Sequence, residues 1–544
     1  MPYATTSLRC DSNGLFGTGG SRLAAFVSVT LAILLLFATS PIHNDAYWSD
    51  SATFALNGEL IRDYLSSGFS KAPMAYANVW FRHYPALTIS AYPPVFPVVE
   101  AAMFALFGFS NAIAQATVTA FCGVAACGAY RLARTCMAPL ASAAFILMFF
   151  ATPCVLLWSR RVMMELPFLS FLLLGAAALL EYQTTAKNGK LWLALCMVLA
   201  AVYTKQSAIF AAPAFAAALL LEDGATLLRR PAVWIAAGLG LVALLPLVAF
   251  TVVYALPMLE IGMGTFPGSG GGSQGLALDY LQALPAIVGW LPFIGALGYV
   301  VLVCAKGWRD VFERRLAVLM FCWFVCGFAF LSLTAHFEER YGIILTVPSA
   351  AFCVMFVVRL APQTLSGGLA FVGALALFGF SLPAYPIPKV KGYSDAAAYL
   401  INHAHSGDVV LLDIDNTANF SFGLRESDNR QKLYVLRAEK IFVNYLFGGN
   451  TIKFDRGFST QQIKSVINRY GVSYVVLQEP GLWINEPSMA RLEAFVRNSG
   501  EFQEIASLPI DSVIKSKRVK IDIFVNKNPA QVSPAAIREM ESHR

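Results

Sequence analysis

Charge is what this 544-residue sequence has least of. Asp, Glu, Lys and Arg make up 13% of it, against 57% hydrophobic residues, whereas a soluble domain carries about 25% charged residues. That scarcity excludes a wholly soluble chain. The charges are also uneven: residues 386–544 hold 20 Lys/Arg and 17 Asp/Glu, and the 385 residues before them hold 20 and 16. Cysteine is sparse as well, with ten in all, none after Cys353 and no CxxC. A disulfide framework, a zinc ribbon and a thioredoxin-type motif are thereby excluded. Most of the cysteines lie in or beside apolar runs, as small hydrophobes between helices do. No basic stripe with interleaved aromatics occurs, so the net charge of +7 does not point to nucleic acid. The Gly-rich run GMGTFPGSGGGSQG at 262–275 has no GK[ST] after it and is not a phosphate loop. It reads as a mobile outer loop, with a lid as the alternative.

Long apolar runs are plentiful. A span needs about 20 apolar residues, and eleven stretches qualify or come close: 23–41, 112–130, 138–157, 166–181, 191–204, 207–221, 233–256, 284–304, 316–335, 342–360 and 368–384. With the N-terminus inside, alternate loops should be cytoplasmic and basic. They carry Arg131/Arg134, Lys187/Lys190, Arg229/Arg230, Lys306 to Arg315, and Arg359. Pro41 directly after the first run favours retention of that run over a cleaved signal peptide. Residues 1–384 therefore read as a polytopic helical membrane domain and 385–544 as an outer domain. The apolar stretch 92–110 contains Glu100 and three prolines, and reading it as a span would invert every later loop. It is expected to lie along the outer membrane face.

The outer domain reads as α/β. SDAAAYLINHAHSGDVVLLD gives a helix, a turn and an apolar strand, and STQQIKSVINRYGVSYVVLQ repeats the pattern; such alternation predicts a small sheet with helices. Asp413 and Asp415 at the end of the first strand resemble a phosphatase or DxD metal motif, but later partner motifs are missing, so a strand end with an Asx turn is the better reading. Arg425, Arg430, Lys432, Arg437 and Lys440 are expected on a solvated face, with acceptor docking as the alternative.

Chemistry is expected at the outer membrane boundary. Cations there run against the positive-inside rule: Arg160 and Arg161 in WSRRVMMELP, Lys205 in YTKQS, and Arg340 in HFEERYG. Each ends a span, beside the loop bearing Asp45 and Asp50. Charges at such depth are costly and face a partner or cavity; Lys and Arg together suit a lipid phosphate. Asp50 also stands where an N-cap of the helix 51–65 would. Five residues apart, Asp45 and Asp50 would not share a helical face, so spacing alone does not make them a pair.

The order of these elements, an acid-bearing loop after span one, then YPP…LFG, SRRVMMELPF, YTKQSA and ERYGIILTVP, resembles the GT-C glycosyltransferases that use polyprenyl-phosphate sugars. Protein O-mannosyltransferases and the bacterial lipid A aminoarabinose transferase are examples. The resemblance covers roughly residues 20–360. It implies a GT-C-like membrane domain with outer-face juxtamembrane helices, and an inverting transfer to an outward-facing lipid, glycan or protein acceptor in the cell envelope, at the inner (plasma) membrane. It further implies Asp50, four residues before Phe54, as catalytic base with Asp45 as a substitute second acid, because the family's adjacent acid is replaced by Ser51 here. Lys205, Arg340, Tyr341, Arg160 and Arg161 are implied for the donor phosphate. Glu165 would orient substrate or hold a divalent metal, the one cofactor implied. His83, Tyr84 and Tyr92 stand where relatives keep polar groups near the site, as does Arg82. Two other classes remain open from the residues alone. A transporter or lipid flippase predicts inverted repeats and broken paired spans, which the sequence does not display. A non-catalytic scaffold with a binding outer domain is the other.

Overall fold

Each of the eleven apolar stretches contains helix in the computed structural model, which describes residues 18–89, 91–256, 276–334, 337–428, 430–446, 452–512 and 519–540. The Gly-rich run 262–275 lies outside them. Seven helices among the described residues are long and apolar enough to cross a membrane, or eight if a bent pair counts as one span. The shortfall from eleven has local causes. Pro139–Ala151 and Asn188–Val202 have 13 and 15 residues, shorter than a full crossing. Leu276–Val288 and Trp290–Lys306 meet at 112°, where Gly289 adopts φ +87, a left-handed conformation that favours glycine.

Several helices end or change type where the chain carries its outer-boundary charges. A 3-10 segment, Gln206–Phe210, follows Lys205 directly; another, Glu339–Leu345, contains Arg340 and Tyr341. Glu165 opens the helix Glu165–Thr185. That helix is central, packing against Asn111–Ala133 and Asn188–Val202. At its crossing with Asn111–Ala133, a Cβ on Gly128 would stand 2.8 Å from the backbone nitrogen of Leu174, so glycine permits the close approach. By contrast Pro231–Phe250 exposes Trp234, Ile235, Leu239, Leu241, Val242 and Leu245, as a lipid-facing helix does in this multi-span membrane protein.

Three helices join the first two membrane helices: Ser49–Ser66, Pro73–Phe81 and Val95–Phe107. Val95–Phe107, the proline-flanked stretch expected along the outer face, packs on Ser49–Ser66. A Cβ on Gly58 would come within 2.6 Å of the Glu100 Cβ. Glu100 is fully buried there, and neither of its carboxyl oxygens has a hydrogen-bond partner among the described residues.

The outer domain is built on a six-stranded mixed sheet. Its strands are β1 (Val390–Lys391), β2 (Val409–Asp413), β3 (Tyr434–Arg437), β6 (Val472–Glu479), β7 (Phe502–Ser512) and β8 (Val519–Asn526), in the order β1-β7-β8-β6-β2-β3. A separate antiparallel pair joins β4 (Val443–Leu446) to β5 (Ile452–Asp455). β2 pairs in parallel with both β3 and β6, as the alternating helices and strands predict. The helix Thr460–Arg469 starts with a capping box between Ser459 and Gln462, a reciprocal pairing of orphan backbone donors. Asp413 ends β2 and is buried; burial pushes its carboxyl up to about 8. Asn416 caps the next helix, Thr417–Ser427.

That helix docks the outer domain on the membrane domain. Arg425, placed by the sequence on a solvated face, is buried in an ion-pair cluster instead: its guanidinium lies 2.7 Å from Glu59 and 2.9 Å from Asp63. Trp80 Nε1 donates to Asp63 at 3.0 Å. At the neighbouring sheet edge, the Val435 N–H donates to the Arg82 carbonyl at 2.8 Å.

Candidate active site

The helix ends described above surround a cavity of about 240 Å³. One wall is apolar, from Phe54, Met163, Met164, Phe168, Ile343 and Ile344; the polar groups include Glu165, Lys205, Arg340, Tyr341 and Tyr92, with Gln206, Ser207 and Thr334 beside them. The chain breaks explain the convergence. A continuous helix would point 205 and 340 around its axis at α-helical spacing, but the 3-10 turns beside them re-aim the chain where charge must meet a cavity.

The charges are paired before any ligand arrives. Lys205 Nζ stands 2.7 Å from Glu165 Oε1, and Glu165 is 1% exposed. Arg340 Nη1 donates to Asp50 Oδ2 at 2.9 Å, and Arg340 also pairs with Glu338. Tyr341 lies between the two cations, its ring centre 5.1 Å from Lys205 Nζ and 5.3 Å from the Arg340 guanidinium; such contacts stabilise a cation where water is scarce. Asp50 sits in the first turn of Ser49–Ser66, but the N-cap is Trp48 and no side chain caps the helix. Its carboxylate goes to Arg340 instead and keeps more than a third of its side-chain surface exposed. Tyr92 packs edge-on to Phe54, ring centres 5.2 Å apart, and burial raises its hydroxyl above the ordinary tyrosine value, with the nearby Asp50 carboxylate adding to the shift.

Arg161 stands beside this group. Its guanidinium lies 4.6 Å from the centre of the Trp158 ring and 5.8 Å from Trp48, and the Arg340 guanidinium lies 5.8 Å from the same Trp158 ring. The two tryptophans were not singled out by the sequence, although Trp48 lies between the two acids and Trp158 directly precedes SRR.

Four predicted residues are elsewhere. Asp45 is buried against the outer domain, where it accepts from the Tyr393 N–H at 2.8 Å and the Ser394 N–H at 3.2 Å. It therefore binds the N-terminus of the helix Tyr393–His403 and does not join Asp50; burial raises its pKa despite these donors. Arg160 is 2% exposed and donates to the Leu156 carbonyl at 2.8 Å and to the Tyr385 carbonyl. Its charge is spent on backbone at the end of the last membrane helix, not on the cavity. His83 Nδ1 lies 2.6 Å from the Leu433 carbonyl, and the Tyr84 hydroxyl donates to the Asp428 carbonyl at 2.8 Å. Both serve the seam with the outer domain; burial lowers the pKa of His83 and raises that of Tyr84.

Lys205 occupies Glu165 Oε1, and no group of three or more His, Cys, Asp or Glu among the described residues converges to hold a metal ion.

Comparisons with known proteins bear on the fold. Residues 91–250 match the family model described as dolichyl-phosphate-mannose-protein mannosyltransferase. No curated protein sequence matches the chain. Among solved structures, ArnT from Cupriavidus metallidurans bound to undecaprenyl phosphate superposes over 93% of this chain and 98% of its own, at 14% identity and a TM-score of 0.57. The arabinofuranosyltransferase AftD from Mycobacteria is covered over 40% of its length and covers 94% of this chain, at 13% identity and TM-score 0.54. An Archaeoglobus fulgidus oligosaccharyltransferase covers 87% of this chain and is covered over 71%, at 12% identity and TM-score 0.51. The membrane helices, the juxtamembrane helices and the outer sheet domain together have a fold similar to that of these solved transferases.

Proposed function

We propose that this protein transfers a sugar from a polyprenyl monophosphate carrier to an outward-facing acceptor. The observation that carries the reading is the composition of the cavity: an apolar wall against two cations, Lys205 and Arg340. An isoprenoid phosphate has that same division, an apolar chain ending in an anion, and charge-assisted contacts to phosphate are among the strongest hydrogen bonds available. The undecaprenyl phosphate in the ArnT structure supports the same ligand class.

In this reading the phosphate oxygens take Lys205 and Arg340, and Tyr341 keeps the two cations aligned. Asp50, released from part of its pairing with Arg340, accepts the proton of an acceptor hydroxyl. The hydroxyl oxygen forms the new bond to the anomeric carbon, and the bond from that carbon to the phosphate oxygen breaks, its electron pair leaving with the phosphate. Attack from the face opposite the leaving group inverts the anomeric centre. The departing polyprenyl phosphate gains one negative charge, which the two cations stabilise more strongly where water is excluded. Glu165 holds Lys205 in place, and no step is assigned to a metal.

Asp50→Asn is the test. The variant should insert normally, bind polyprenyl phosphate, and lose transfer from a radiolabelled lipid-linked sugar by about 100-fold or more, the scale of general-base catalysis. Transfer at the native rate by a properly inserted Asp50→Asn protein would remove the catalytic assignment, and a labelled lipid that crosses the bilayer unconsumed would favour a flippase.

A further inference from the structure

A second cavity, of about 390 Å³, opens on the other side of the helix Ser49–Ser66, in the seam between the membrane domain and the outer domain. Ala52 lines this cavity and Phe54 lines the first, so one helix wall separates them, with positions about 3 Å apart along its axis. Asp50 is on the preceding turn.

The two cavities differ in chemistry. The first is apolar with cations. The seam cavity has amides and carboxylates: Asn44, Asn111, Asn419, Asp45, Glu426 and Asp395. Its framework is held by named bonds. Asn111 Nδ2 donates to the Pro41 and Asn44 carbonyls at 2.6 and 2.8 Å, and Asn419 exchanges hydrogen bonds with both backbone groups of Ala46. The loop 41–46 is therefore pinned from both domains. Other groups are left over. Lys391 lies 4.0 Å from Asp395, which matches one cation to one carboxylate. Among the described residues no hydrogen bond or ion pair engages the His43 or Glu426 side chains, both of which line the space. Burial raises the pKa of Glu426, and the nearby Asp45 carboxylate adds to the shift.

We infer that the seam cavity binds the acceptor as a carbohydrate, one presenting hydroxyl or amino groups and no phosphate or carboxylate at this point. The inference rests on the transferase reading and names its acceptor class. With Asp45 taken up by the Tyr393 and Ser394 N–H groups and the Asn111 and Asn419 amides bonded to the loop 41–46, Glu426 and His43 remain to meet a ligand; a carboxylate without a cation repels an anion and accepts from hydroxyl and ammonium groups. The place suits the role: a saccharide seated in the seam extends past the first turn of Ser49–Ser66 toward Asp50. It also explains why the cavity needs both domains, since neither alone encloses it.

The test uses full-length protein in lipid nanodiscs and three soluble probes: glucosamine tetrasaccharide, maltotetraose and glucose 1-phosphate. Binding is read by saturation-transfer NMR. Both tetrasaccharides should bind. Glu426→Lys should weaken the glucosamine tetramer at least tenfold and maltotetraose less, and Ala112→Phe, which narrows the cavity, should weaken both. Thermal melting checks that the variants fold. The inference is overturned if neither tetrasaccharide binds, or if both bind a well-folded Glu426→Lys and Ala112→Phe as tightly as the native protein. Running the same titration on Asp50→Asn keeps the two ideas separate. Asp50→Asn protein that transfers at the native rate, with saccharide binding still dependent on Glu426, would remove the base assignment alone; inactive Asp50→Asn protein whose binding ignores both cavity variants would defeat the seam site alone.

Discussion

Lys205 has two duties that a single substitution would confuse. It neutralises Glu165, which is 1% exposed, and it faces the cavity. Removing one partner of a buried pair leaves the other charge uncompensated, a cost of about 3–5 kcal/mol. Lys205→Ala should therefore lower the melting temperature as well as donor affinity. Adding Glu165→Gln removes the stranded charge, so the double variant should regain most of the melting temperature and still bind polyprenyl phosphate weakly. Recovery of both quantities together would show that Lys205 serves the fold only. Arg160 gives the contrast at the same scale. It sits one residue from Arg161 in the sequence, yet its guanidinium ends on backbone carbonyls, so its loss should be a folding defect with no separate effect on donor binding.

The helix Ser49–Ser66 carries the candidate base at one end and the outer domain at the other. Its Glu59 and Asp63 are held by Arg425, and the loop before it is held by Asp45 and Asn419. Asp50 thus lies between two attachments to the outer domain, which makes that domain a positioning element for the site. The Glu59 carboxyl is fully buried, and burial raises it to about 7 in spite of Arg425 and Arg62. The sign follows from proton linkage: the folded state holds this proton more tightly than the unfolded chain, so the contribution to stability is greatest below about 4.5 and declines as pH rises to about 7. Arg425→Met takes away the main compensating charge and should raise the Glu59 carboxyl further. The variant should then be destabilised more at pH 8 than at pH 6, with Glu59→Gln restoring much of the loss at pH 8. Hydrogen exchange of the amides in Ser49–Ser66 reads this locally; an equal loss at both pH values would show that Glu59 does not titrate in that range.

For the whole molecule the question is which side of the membrane carries the site. The basic loops alternate with the outer-boundary charges along the chain, and the outer domain contacts the helix that carries Asp50 and Glu59. If the alternation follows the positive-inside rule, the cavity, the seam and residues 390–540 all face away from the cytoplasm. A phosphatase reporter fused after Arg544 should be active outside the inner membrane, whereas a fusion within Lys187–Lys190 should be inactive. Active signal from the Lys187 fusion together with a silent C-terminus would invert the topology and move the proposed acceptor to the cytoplasm.

Much of the architecture follows from local sums along the chain. Hydropathy set the membrane helices, because each span is a property of about 20 consecutive residues. Period and capping set the outer helices and strands, including the Ser459 capping box and the buried run Val409–Asp413. Depth and charge type were enough to single out Lys205 and Arg340, since cations left against the positive-inside pattern are conspicuous one segment at a time; Asp50 and Glu165 were marked by the family resemblance. Pairing was not legible. Arg340 meets Asp50 across 290 positions and Arg425 meets Asp63 across 362; no local pattern encodes such partners. Likewise Asp45 and Asp50 look alike in sequence, but one binds the Tyr393–His403 N-terminus and the other Arg340. The sequence by itself determined which residues would stand at a membrane boundary, because that is a matter of hydropathy and charge; only the tertiary structure decided which of them face one cavity, because that depends on where distant helix ends are brought to meet.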